Sequence, residues 1–180
     1  MVFDAVATVL GADQMQVTTV DDADVVVIDA AGAARVSVGG RPPVIVLAAG
    51  TAATAALAFR LGARGFLAFD ASADELRQAV RDVAAGGVHL PDHLAAELGR
   101  RAIAGDADGP IDSLTDRQLE VVHLLVAGAG RDEIAGRLGI SVATVRTHVR
   151  DAFARLGVHS AVEAASVLRR HLAAPPTPPV

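Results

Sequence analysis

The sequence predicts two units, an open α/β sheet over residues 1–90 and an all-α four-helix unit over 114–172. Three observations predict it. Up to Ala104, short β-rich runs alternate with Ala-rich helical stretches. A polar, turn-rich break from Gly105 to Pro110 then interrupts the pattern, and beyond it only a helical period is found.

In the front unit, residues 15–20, 25–28, 44–47 and 65–69 are strand candidates. The last three are apolar throughout, which suits strands covered on both faces. Residues 51–61 and 73–85 read as helices. The second is opened by Ser72 with Glu75 three residues on, a capping box, and Gly86-Gly87 ends it. Residues 93–103 form a further helix, so 91–113 is a linker helix followed by a polar linker. Only about four residues separate the first two strand candidates, 15–20 and 25–28, where a parallel crossover needs about a dozen. The expectation is therefore an antiparallel hairpin over 17–28, or a segment missing ahead of Met1.

Four helices follow. Thr115 caps the first, with Gln118 at its third position and an apolar stripe of Leu119, Val122, Leu125 and Val126. Gly128-Ala129-Gly130 stops it and is expected to loosen the start of a two-turn helix over 131–138, whose Asp132 and Glu133 sit at the positive end of the dipole. Ser141 caps a longer helix over 142–156, and Ser160 caps the fourth. The Pro-rich residues 173–180 are expected to be a disordered tail, with a proline-recognition role as the weighed alternative.

Composition narrows the function classes. At 180 residues and 52% hydrophobic content, the chain can bury one sizeable core or two small ones. It contains no Cys, which removes disulfides, thiol catalysis and thiolate metal sites, and its six His show no metal-ligand spacing. No enzyme, cofactor or metal is expected. The absence of a spanning run or a leader pattern predicts a cytoplasmic protein without membrane contact. All 16 basic residues are Arg, a bias attributed to base composition, and the net charge of −5 is unevenly placed. Residues 1–111 hold eight Arg against fourteen Asp and Glu, whereas 112–180 hold eight against seven. The acid lies in the front unit.

Two helices joined by a short Gly-containing turn make a helix-turn-helix, whose second helix enters the major groove. Along 142–156, at about 100° per residue, Val145, Val149, Ala152, Phe153 and Leu156 fall on one side. Ala143, Arg146, Thr147 and Arg150 fall on the other. Arginine there can donate to guanine O6 and N7, while Thr147 can touch a thymine methyl or a base edge. Thr144, His148 and Arg155 lie between the faces, where phosphate contact is the fitting role. A simply solvated arginine face is the competing reading, and His123, His159 and His171 are left unassigned.

Taken together, Leu114-Thr-Asp-Arg-Gln-Leu-Glu-Val-Val122, Glu133-Ile-Ala-Gly-Arg-Leu-Gly-Ile-Ser141, Thr144-Val-Arg-Thr-His148 and Leu156-Gly-Val158 resemble the LuxR-type, NarL-like DNA-binding domain over residues 114–164. The resemblance implies base contacts at Arg146, Thr147 and Arg150, and backbone contacts at or near Ser141, Thr144 and His148. It also implies dimerisation through the helix after Ser160. Asp116 stands where the family usually has Pro, and Ala129 and Gly130 replace a larger apolar residue and a Ser.

The front unit resembles a response-regulator receiver domain on Asp24-Val-Val-Val-Ile-Asp29, Pro43-Val-Ile-Val-Leu-Ala48 and Leu61-Gly-Ala-Arg-Gly-Phe-Leu-Ala-Phe-Asp-Ala-Ser72. The implied fold is receiver-like, a shrunken version of the flavodoxin-like plan, with Asp29 at a vestigial phospho-acceptor position. Receiver chemistry needs a carboxylate cluster for Mg²⁺, a hydroxyl and a lysine. Here the hydroxyl position is Ala48 and the lysine position is Phe69, while Asp4, Asp21 and Asp22 belong to a helix surface and a turn. The chain therefore reads as an atypical response regulator with a pseudo-receiver. It is expected to bind double-stranded promoter DNA as a homodimer without aspartyl phosphorylation, with RNA polymerase as a further partner. Two alternatives stay open: a phosphorylation- or ligand-switched regulator, and an interaction module that titrates a related regulator without binding DNA. A small-molecule site at the apolar end of the sheet, by Ala48 and Phe69, also stays open.

Overall fold

A computed structural model describes residues 23–29, 42–104 and 109–173. Among the described residues, three short parallel strands form a sheet: β1 (Val26–Asp29), β2 (Val44–Ala48) and β3 (Gly65–Ala68), in that order. Val26 pairs with Val44 and Ile45 with Gly65 at the start of each ladder. The β2 run has no polar residue because both its faces are covered. Val44, Val46 and Ala48 pack with Phe66 against α1 (Ala52–Arg60), and Ile45 and Leu47 pack with Leu67 against α2 (Ala73–Ala84). β3 is likewise buried until its last residue, but β1 is only half-buried and ends in exposed Asp29, so full coverage holds for two of the three expected strands.

The caps lie where side-chain chemistry requires them. Thr51 accepts from the Thr54 amide at the start of α1, and the Ser72–Glu75 capping box is closed in both directions. The Glu75 carboxyl is held below its ordinary range, first by the Ser72 amide and then by the Ser72 hydroxyl. Asp82 is lowered by hydrogen bonding from His89 and Gln78, and the 2.8 Å Asp82–His89 contact ties α2 to the segment that bridges beside β3 at Gly65.

After α3 (Asp92–Ala104), four helices follow among the described residues: α4 (Asp116–Val126), α5 (Arg131–Leu138), α6 (Val142–Leu156) and α7 (Ala161–Ala173). The expected boundaries of these four hold to within a residue. The first strand candidate at 15–20, the hairpin to it, Asp4, Asp21 and Asp22, and residues 174–180 of the tail lie outside the described residues. No helix among the described residues is long and apolar enough to cross a membrane.

The two units share one apolar cluster. Helix α1 packs on the sheet, on α3 and on α7, so that Ala55, Leu57 and Ala58 join Leu119, Val122, Leu156, Leu168 and Leu172. Ile111, near the end of the polar linker, and Leu114, at the start of the helical unit, are 1% and 3% exposed within that cluster. This stretch is a buried wedge, because its two apolar side chains are i, i+3 neighbours across a turn closed by the Leu114 amide to the Ile111 carbonyl.

A candidate DNA interface on helix α6

Helix α6 is placed by both of its ends. At the start, Ser141 accepts from the Thr144 amide at 3.0 Å and its hydroxyl lies 2.8 Å from that of Thr144. At the end, Gly157 adopts φ 66°, a left-handed conformation that is cheap for glycine, and returns its amide to the last turn. The link from α5 is equally tight: Gly139 stands at φ 63° and the Ile140 amide bonds to the Ala135 carbonyl. Arg117 of α4 donates to the Leu138 carbonyl at 2.5 Å, closing the C-terminal end of α5.

One side of α6 is core. Val145, Val149, Ala152 and Leu156 are buried and Phe153 is half-buried, as the wheel requires. Val145 and Val149 meet Val121, Leu124 and Ile134, which fixes α6 against α4 and α5. The other side is open: Ala143, Arg146, Thr147 and Arg150 are all exposed. Thr147 donates its hydroxyl to the Ala143 carbonyl at 3.2 Å, which leaves its methyl as the outward group. Arg150 is paired with its neighbour Asp151 at 2.9 Å, with the Arg side chain 75% exposed.

The flanking residues divide. Ser141 is exposed at the helix start, and Thr144 and His148 are half-buried between the faces. Arg155 is exposed but turned onto its own chain, donating to the Ser113 carbonyl at 2.5 Å. Sequence reasoning missed that anchor, since nothing in the spacing of Ser113 and Arg155 announces a contact 42 residues apart. On α5, the N-cap Gly130 supplies no side-chain bond, as its lack of a hydroxyl dictates. On α7, Glu163 accepts from the His159 amide and the Ser160 hydroxyl, and these bonds, the His159 amide first, lower its pKa.

At the C-terminal edge of the sheet, the register sets Asp29 beside Leu47, and Leu47 beside Leu67. Ala48 there is fully buried and Phe69 is 55% exposed. Among the described residues, no group of three or more His, Cys, Asp or Glu is arranged to hold a metal.

Residues 112–168 match the family described as bacterial regulatory proteins, luxR family. The chain is 39% identical over 107 residues to a nitrate/nitrite response regulator protein homolog of Haemophilus influenzae, covering 59% of this chain and 50% of that one. It is 41% identical over 108 residues to the transcriptional regulatory protein UhpA of Escherichia coli, covering 60% and 51%. The chain thus spans about half the length of these curated relatives. Both alignments are longer than the stretch from residue 112 to the C-terminus, so part of the α/β unit is included. Among solved structures, the response regulator ChrA of a heme-sensing two-component system aligns over 94% of this chain and 91% of its own, at 26% identity and a TM-score of 0.44. The match over 112–168, about a third of the chain, encloses α4, α5 and α6 with their connecting turns and runs into α7.

Proposed function

We propose that the protein is a sequence-specific, DNA-binding transcription regulator that acts as a homodimer and works without aspartyl phosphorylation. The observation that carries this reading is the division of α6, with an apolar side locked on α4 and α5 and an open side of Arg146, Thr147 and Arg150. Laid in a major groove, the two guanidiniums, one helical turn apart, reach successive base pairs, and the outward Thr147 methyl suits a thymine. Ser141, Thr144, His148 and Arg155 flank that strip and serve the phosphates, Arg155 with the donors its Ser113 bond leaves over. As the Haemophilus influenzae relative is named a response regulator protein homolog, the α/β unit is taken as a pseudo-receiver with Asp29 its vestigial acceptor position. Phosphorylation independence rests on chemistry: neither Ala48 nor Phe69 can bind a phosphoryl group.

Selection from a random duplex pool with the unmodified full chain tests the proposal. Enrichment of a two-fold symmetric site, with half-sites about 10 bp apart and affinity falling steeply with salt, is the expected result. A chain that enriches no site until treated with acetyl phosphate would overturn phosphorylation independence, and a chain that enriches none under either condition would overturn DNA recognition. The same treatment followed by intact mass measurement should show no added phosphoryl group.

A further inference from the structure

We infer that Arg60 is a latch that docks the α/β unit on the helical unit, and that the turn it grips also anchors the recognition helix. The second part rests on the DNA-reading role proposed for α6. Arg60 ends α1, and its side chain is only 24% exposed. Its Nε donates to Asp116 Oδ1 at 3.0 Å, Nη2 to the Leu114 carbonyl at 2.6 Å and Nη1 to the Ile111 carbonyl at 3.4 Å, while Asp112 Oδ1 lies 3.8 Å from Nη1. All four acceptors come from residues 111–116, across the unit boundary. A guanidinium presents its donors in one rigid fork, so satisfying it requires the two units to meet in one orientation.

Three neighbouring features strengthen the grip. The cation closes the C-terminal end of α1 and its partner Asp116 opens α4, so both charges are favoured by the helix dipoles they meet. Ile111 and Leu114, whose carbonyls Arg60 holds, are buried in the cluster shared by the two units, which excludes water from one side of the fork. The Ala49 amide adds a backbone bond to the Leu172 carbonyl at 3.4 Å, at the opposite end of α1. From the helical side, Arg155 in the last turn of α6 holds the Ser113 carbonyl, the residue next to Leu114. Two arginines from different units therefore grip adjacent carbonyls of one turn, and a shift of α1 moves the anchor of the recognition helix. The latch also gives a reason for Asp116, whose exposed carboxylate would otherwise be a surface charge worth little.

The test uses the full chain, which contains no cysteine, with spin labels on Ala84→Cys of α2 and Ala127→Cys after α4, both exposed positions. Three variants are compared with this background. Arg60→Met keeps the stem and removes the fork. Asp116→Pro removes the carboxylate at the first helical position, where proline is well tolerated and α4 is kept. Arg77→Met breaks an ion pair internal to α2 and is the control. The expected result is one narrow distance distribution in the background and control, and a broadened or second, longer population in Arg60→Met and Asp116→Pro. A distribution in Arg60→Met that stays as narrow as the background would overturn the latch. On the duplex selected by the unmodified chain, Arg60→Met should bind about two- to tenfold more weakly. Unchanged binding despite altered distances would overturn the coupling to α6. If the unmodified chain selects no duplex, the DNA reading fails while the distances still decide the latch.

Discussion

At the scale of single residues, the open strip of α6 makes unequal demands on its members. Arg146→Ala or Arg150→Ala should cost about 1–3 kcal/mol on the preferred duplex and relax base choice at one position, measured by anisotropy against single-base variants of the site. Equal losses on preferred and random duplexes would assign these residues to phosphates instead. Asp151 is a second lever, because its carboxylate holds the Arg150 guanidinium at 2.9 Å and is itself a charge that a polyanion repels. Asp151→Asn should tighten binding to every duplex by up to about fivefold, the scale of an exposed ion pair, and a loss of affinity would show that the pair instead orients Arg150 for binding. The strip itself was legible in the sequence because a helical period sorts faces with no knowledge of the rest of the fold. The anchors of Arg60 and Arg155 were not, since each ends on a main-chain carbonyl, and carbonyls carry no residue identity to search for.

At the scale of elements, the helices were legible almost to the residue because their ends are written in side-chain chemistry. Thr115 and Ser141 carry the cap bonds expected of them, and replacing either by Ala should lower stability by about 1 kcal/mol in denaturant titrations. Gly139→Ala, at φ 63°, should cost a similar amount by forcing a Cβ into the left-handed region. The start of α7 has a pH dependence of fixed sign. Since the folded Glu163 pKa is lowered, its contribution is whole above the ordinary carboxylate range, near 4.3, and is lost as pH falls through the lowered folded value. Glu163→Gln should flatten that acid limb, and a limb unchanged in the variant would place it on other carboxylates such as Glu75 and Asp82. Strands were less legible. Periodicity marked β1, β2 and β3 within a residue or so, yet an apolar run of four cannot reveal whether one or both faces are covered, and β1 is the run that fell short.

At the scale of the whole molecule, the break at 105–110 was read as a polar linker between two units, with one sizeable core or two small ones left open. The structure carries one cluster from β2 through α1 to α7, with Ile111 and Leu114 inside it. Such a contact joins residues far apart in the chain, and local pattern has no access to it. It follows that heat should unfold the chain in a single transition sensed equally from both units, and that Leu168→Ala should lower that one midpoint through a loss of about 2–5 kcal/mol. Two separated midpoints, with only the later residues affected, would show that the shared cluster does not couple the units. The exposed strip of α6 has one more consequence. Its cations are arginines, and the protein contains no lysine at all. With no ε-amine to acylate, acetyl-transfer enzymes have no handle on this surface, so its affinity for a polyanion cannot be set by lysine acetylation. Under the DNA-reading role proposed for α6, occupancy of a site should answer to the amount of protein and the salt around it.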